Sequence, residues 1–366
     1  MVPLTIPSPP LDWSVFYVGT WIHSWLPAWN ENWTLPVHMY ALCILAGIII
    51  AIVLTNFRMV RRGAEPWIIV DISLWAIVLG IIGARVWHVL THLADYFGPG
   101  KNTWNPFMTG AVWNVWDGGL AIFGVLLGGG FGIWIACRRA GLRFLSVADA
   151  LMPGLLLAQA LGRLGNYFNH ELFGLPTNLP WGLQIESDNA AYPSGLPTSG
   201  VFFHPTFLYE MIWNVFGVIL ILAIENTWSI VTGRRLPFRL QLTRRANWQW
   251  GKVLGLYLIW YGLGRTWFES IRIDPSQTYF GIRSNVWGAL AAILLGIIII
   301  AVQTRRHPGI EPSIYRSGEQ WAPPAEVDSE DIYDESDDDG DDAVSATDSA
   351  STRKGIPATS GATHPS

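Results

Sequence analysis

Between residues 161 and 176 the chain reads LGRLGNYFNHELFGLP, which sets Arg163, Asn166, Asn169, His170 and Glu171 at the end of an otherwise apolar run. A second stretch, YGLGRTWFESIR, spaces Tyr261, Arg265, Glu269 and Arg272 by 4, 4 and 3 residues. On a helix that spacing places all four on one face, with Glu269 in reach of an arginine on either side. His38 and Tyr40, Arg85 and His88, Asp117, and His204, Tyr209 and Glu210 in FHPTFLYE occupy comparable positions at the ends of apolar stretches. An arginine inside a membrane span costs about 2.5–3.5 kcal/mol on insertion scales, so a set of them needs a purpose. Guanidinium groups grip phosphate through paired N–H donors. The chemistry this suggests is the binding of an anionic phospholipid headgroup, followed by a reaction on that lipid.

The elements that must carry these residues are membrane spans. Of 366 residues 51% are hydrophobic, 21 are tryptophan, and mean hydropathy is positive. Seven stretches are long and apolar enough to cross a bilayer, at roughly 38–57, 67–90, 119–137, 146–165, 206–224, 251–270 and 284–302. The expected fold is therefore all-α and polytopic. Pro153 interrupts the fourth span, which is tolerable where neighbouring helices satisfy the freed backbone groups. Arginines cluster after spans 1, 3, 5 and 7, as Arg58, Arg61 and Arg62, then Arg138, Arg139 and Arg143, then Arg234 to Arg245, then Arg305 and Arg306. The positive-inside tendency then predicts an outer N-terminus and a cytoplasmic C-terminus. It also puts every residue of the polar set in the outer half of the membrane.

Three further regions are expected. Residues 1–35, with Trp13, Trp21, Trp25, Trp29 and Trp33, read as an arm in the outer interface, with no cleavable leader. Residues 36–305 form the membrane domain, in which the long connection 166–205 makes an outer cap. Residues 307–366 hold 14 of the 28 acidic side chains and 3 of the 23 basic ones, so the rest of the chain is net positive. The region from 306 to 366 reads as a disordered acidic tail.

Several chemistries are disfavoured. Cys43 and Cys137 fall at opposite ends of different spans, which argues against a disulfide, and neither has metal-ligand spacing or an evident base. His88 and His92 are i, i+4 but lack the intervening glutamate of an HExxH motif. No glycine-flanked span serine resembles an intramembrane protease nucleophile, and no internal repeat suggests a secondary transporter. A structural ion-pair seam remains an alternative for the 261–272 stripe, and snorkelling remains one for Arg85.

The motif GRLGNYFNHELFG resembles the G-R-x-G-N-[FY]-x-N-x-E-x-x-G signature of the bacterial phosphatidylglycerol–prolipoprotein diacylglyceryl transferases. The likeness continues through GAR at 83–85, VWDGG, HPTFLYE and YGLGRTWFESIR, over about residues 36–305. The resemblance implies a cytoplasmic-membrane enzyme that moves the diacylglyceryl unit of phosphatidylglycerol to the lipobox cysteine thiol of a prolipoprotein. A thioether forms and glycerol phosphate leaves. It implies no cofactor, no metal and no nucleic-acid partner; its partners are membrane lipid and prolipoprotein signal peptides. Arg163 and Arg265 correspond to an essential arginine pair, with Asn166, Glu171, Gly174, Tyr40, Tyr261, Glu269 and Arg272 around them and Arg85 among the lipid-binding residues. Many members carry a histidine after the D-G-G turn, where this chain has Phe123. His204, Glu210 and Tyr40 are the candidates left to take the thiol proton.

Overall fold

The computed structural model describes residues 5–18, 25, 36–98, 100, 101, 104, 105, 108, 110–115, 118–189, 191–225, 248–274, 276–308 and 311–322. Trp21, Trp29, Trp33, Asp117, the arginines at 234–245 and the acidic run at 323–366 lie outside these residues. Among the described residues seven long helices carry the fold: α1 (Met39–Val60), α2 (Ile68–Thr91), α3 (Ile122–Arg139), α4 (Phe144–Phe168), α5 (Thr206–Ile224), α6 (Lys252–Ile271) and α7 (Ser284–Arg306). Six of them are long and apolar enough to span a membrane. The exception is α6, whose apolarity is lowered by the stripe that holds Arg265 and Glu269. Pro153 is accommodated within α4, which runs through it unbroken.

Small residues set the helix pairing. An added Cβ at Gly83 would collide with the Gly124 carbonyl, one at Gly128 with that of Leu79 and one at Gly132 with that of Trp75. These contacts run in opposite directions along α2 and α3, so the two helices are antiparallel and touch backbone to backbone. Gly47 against Ala158 and Gly154 against Ala51 pair α1 with α4 in the same way, and Gly255 and Gly262 seat α6 on α7. Helix α5 joins the pairs, with Val218 and Ile221 in one apolar cluster with Met152, Leu156, Val253 and Tyr257. Antiparallel packing throughout brings the starts of α1, α3, α5 and α7 to one end of the bundle, together with the ends of α2, α4 and α6.

The other end is closed by charge. Arg58 forks onto Glu225 at 2.7 and 3.0 Å and donates to the carbonyls of Asp149 and Ala150, while Arg62 meets Glu225 at 3.0 Å. Asp149 accepts from the backbone N–H groups of Gly251 and Leu254, capping the start of α6 from a different helix. Residues 311–322, assigned from composition to the disordered tail, pack here instead. Ile314 and Tyr315 enter a core with Met59, Ile72, Leu142 and Val147, and Glu311 receives the Ser146 hydroxyl and lies 3.7 Å from Arg143. Cys43 and Cys137 are buried free thiols.

The connection after α4 folds into a small cap. The strands Pro176–Thr177 and Leu183–Gln184 both pair antiparallel with Phe202–Phe203 over a core of Phe173, Leu183, Ile185, Phe203 and Phe207. The N-terminal segment is part of this cap rather than a separate arm. Ile6 bridges Leu183 in parallel, and the Tyr167 hydroxyl donates to Pro7 O at 2.9 Å. A three-residue strand at Val15–Tyr17 then pairs with Pro36–His38, just ahead of α1.

Candidate functional site

The end of α4 and the start of α5 supply the first half of the site. Arg163 Nε lies 2.7 Å from Glu210 Oε2, and its Nη1 donates to Asn166 Oδ1 at 3.2 Å. Asn166 Nδ2 donates to Glu171 Oε1 at 2.9 Å, and Asn169 Nδ2 reaches the same oxygen at 3.3 Å. Tyr40, at the start of α1, lays its ring against Gly165, where an added Cβ would stand 2.6 Å from the ring. Gly165 therefore admits an aromatic from another helix. Just past the end of α4 the chain turns back on itself with His170 at φ 54° and Leu172 at φ 59°. Left-handed backbone at a non-glycine residue is costly and is held by its surroundings.

The second half is the end of α6. Arg265 Nη2 lies 3.0 Å from Glu269 Oε2, a contact that is ionic rather than a directed hydrogen bond. Glu269 is fully buried, and its other oxygen meets Arg283 Nε and Asn285 Nδ2, each at 3.0 Å. Tyr261, one turn before Arg265, stacks on Tyr257, whose hydroxyl accepts from Gln159 at 2.9 Å. Arg272 donates to Asp274 at 2.6 Å, and its backbone bridges Gly174. Gly174 is pressed between His204 and Ile271, with an added Cβ only 2.8 Å from His204 Cβ. The signature loop is thus stitched to the end of α6 through Gly174.

Helix α5 links the halves. Glu210 holds Arg163, and Trp213, one turn on, packs against Gly264 beside Arg265 and stacks on Trp260 at 4.0 Å. His204 precedes α5 with Nδ1 3.2 Å from the Tyr209 hydroxyl, and burial lowers its pKa, which keeps the imidazole neutral at pH 7.

The arginines divide by how fully they are engaged. Arg85, expected among the headgroup ligands, is 3% exposed and donates to the carbonyls of Ala111, Val112, Gly118 and Gly119. It holds the connection before α3 to the end of α2 and has little left for a ligand. Arg283 is spent in the same way on the carbonyls of Glu269, Arg272 and Asp274. Arg163 and Arg265 differ: their side chains are 24% and 14% exposed, and among the described residues Arg163 donates one hydrogen bond and Arg265 none. Each has its charge partly balanced from behind and N–H donors to spare.

Arg283, Asn285, Glu186 and His170 are the residues that motif reading passed over or left without a role. Arg283 carried a signal, being a basic residue in an otherwise positive-poor connection.

A helical bundle in which six helices are long and apolar enough to cross a bilayer is a multi-pass membrane protein, here with two under-engaged arginines at one end. Residues 28–302 match the family model described as prolipoprotein diacylglyceryl transferase. A protein of Leifsonia xyli subsp. xyli named phosphatidylglycerol–prolipoprotein diacylglyceryl transferase is 53% identical over 327 residues, 89% of each chain. Proteins of the same name from Cutibacterium acnes and Bifidobacterium adolescentis are 39% and 37% identical, covering 83% and 80% of this chain and 88% and 86% of theirs. The chain belongs to the prolipoprotein diacylglyceryl transferase family.

Proposed function

We propose that this protein transfers the diacylglyceryl group of phosphatidylglycerol to the lipobox cysteine thiol of a prolipoprotein, the first step of lipoprotein lipidation. The observation that carries the reading is the unspent hydrogen-bonding capacity of Arg163 and Arg265 beside saturated arginines at the same end of the bundle. In the reaction the thiol sulfur attacks the glycerol carbon that bears the phosphate. The carbon–oxygen bond breaks and its electron pair leaves with glycerol phosphate, gaining a second negative charge. Arg163 and Arg265 meet that charge with donors already in place, where exclusion of water strengthens each contact. Asn166 and Glu171 fix the Arg163 side of the site; Tyr40 and Tyr261 wall it; Glu269 and Arg272 hold the α6 side, and Gly174 ties the two.

The reading places the protein in the bacterial cytoplasmic membrane, with the site end outward, the N-terminus outside and the C-terminus in the cytoplasm. The arginine-rich connections at the opposite end support that orientation. The direct test is purified protein with phosphatidylglycerol and a lipobox peptide, followed by mass spectrometry. A peptide gaining the mass of one diacylglyceryl group is expected; folded protein that gives no such product overturns the reading.

A further inference from the structure

A thiol with a pKa near 8.5 must lose a proton before it attacks, and Phe123, near the start of α3, cannot accept one. Phe123 is half exposed on α3 and packs against Trp87. Two other histidines at this end of the bundle already have Nδ1 engaged. His92 Nδ1 is engaged with the His88 carbonyl and its ring stacks on His88, and His204 is held by Tyr209.

His170 is built differently. Its Nδ1 lies 2.9 Å from Glu186 Oε2 and 3.0 Å from Ser8 Oγ, and the Ser8 hydroxyl also donates to Glu186. Burial alone would raise the Glu186 pKa, but the hydrogen bonds from Ser8 and His170 outweigh it and the net shift is downward. Glu186 is therefore a carboxylate at neutral pH and can only accept, so the proton of the neutral imidazole sits on Nδ1. That leaves a lone pair on Nε2, a buried atom with no partner. The ring lines a small cavity whose other walls include Ser8, Pro9, Asn166, Tyr167 and Glu171. Two of these walls belong to the arginine site, and the cavity has room for about one water. The strained backbone at His170 is a further sign that the side chain is held there for a reason.

We propose that His170, oriented by Glu186, is the proton acceptor for the incoming thiol, reached through a single water in this cavity. The inference rests on the transferase reading. The thiol gives its proton to the water as the water gives one to Nε2; the sulfur–carbon bond then forms and glycerol phosphate departs with the carbon–oxygen pair. The imidazolium later returns the proton to solvent. The titratable groups facing the ring are Glu186 from the cap, Glu171 from its own loop and Tyr167 from α4.

The test uses the full chain in phosphatidylglycerol-containing micelles with a lipobox peptide, following rate against pH from about 6 to 9.5. His170→Gln should lose about 100-fold at pH 7, in the range of a lost general base. Its rate should then climb about tenfold per pH unit toward the pKa of the thiol itself, narrowing the gap to wild type. A peptide with selenocysteine in place of cysteine, ionised already at pH 7, should restore most of the loss. Glu186→Gln should lose about tenfold and shift the acidic limb of the profile. A folded His170→Gln enzyme with wild-type activity, or with the same loss at every pH and no selenol rescue, overturns the proposal. Should His170→Gln not fold, Glu186→Gln decides: a uniform loss at all pH overturns it too. Absence of product from the unmodified enzyme is a different failure, overturning the transferase reading and this inference with it.

Discussion

Charge alone does not make an arginine a ligand; what counts is which of its five N–H groups are already spent. Arg163→Lys keeps the charge but loses the planar fork, and should cut the transfer rate at least tenfold while the protein melts near the wild-type temperature. Arg163→Ala should lose more activity and some stability together, since Glu210 is left as a nearly buried carboxylate without its partner. Arg85→Ala should do the reverse of Arg163→Lys. Four carbonyls, two of them on buried residues, lose a charged donor, so folded yield and melting temperature should fall while specific activity per folded molecule survives. Thermal melts and specific activity on the same detergent-purified variants check all three. Sequence spacing set Arg265 and Glu269 on one helix face and Arg163 beside Asn166, because these pairs are local. It could not show that Arg85 is saturated, because its acceptors lie 26 to 34 residues away in an irregular connection. Nor could it show that Arg283 turns back onto Glu269, a contact made only when the start of α7 folds against the end of α6.

Among the elements, the α2–α3 pair depends on glycine at three levels and is the most sensitive to added bulk. Gly124→Val should separate the helices and abolish stable insertion, because the new side chain would enter the Gly83 carbonyl and the Ala84 backbone. Gly130→Ala, where an added Cβ meets nothing within 4 Å, should be neutral or raise stability by up to about 1 kcal/mol through helix propensity. Folded fraction in detergent after heating separates the two outcomes. The cap makes its own prediction. Glu186 has its pKa lowered in the folded protein, so its contribution to stability is complete above the unfolded carboxyl value of about 4.3 and is lost as pH falls through the lowered folded value. Melting temperature should therefore drop more steeply below about pH 4.5 in wild type than in Glu186→Gln. Helix positions were legible from hydropathy, and α4 formed despite Pro153 because α1 and α5 pack along it. The cap strands, each two residues long, are too short to leave a period in the sequence.

Across the whole molecule, the two ends of the bundle are finished by segments distant in sequence. Composition assigned everything from residue 306 onward to a disordered acidic tail, because a few scattered apolar residues in a polar, proline-containing stretch give no pattern. Burying Ile314 and Tyr315 stabilises by roughly 3–6 kcal/mol as an upper bound. Truncation after Arg306 should accordingly lower the melting temperature by several degrees, whereas truncation after Ala322 should leave stability and activity unchanged. At the opposite end the tie is between Ile6 and Leu183, and it orders events during synthesis. A ribosome delivers Ile6 first and Leu183 about 180 residues later, an interval of roughly 10–35 s at ordinary elongation rates. Through that interval Ile6 has no strand to pair with. Arg163 emerges before the wall beside His170 can close, but Arg265 follows only about 80 residues after Leu183, so the cap can be completed before the anion-binding end is.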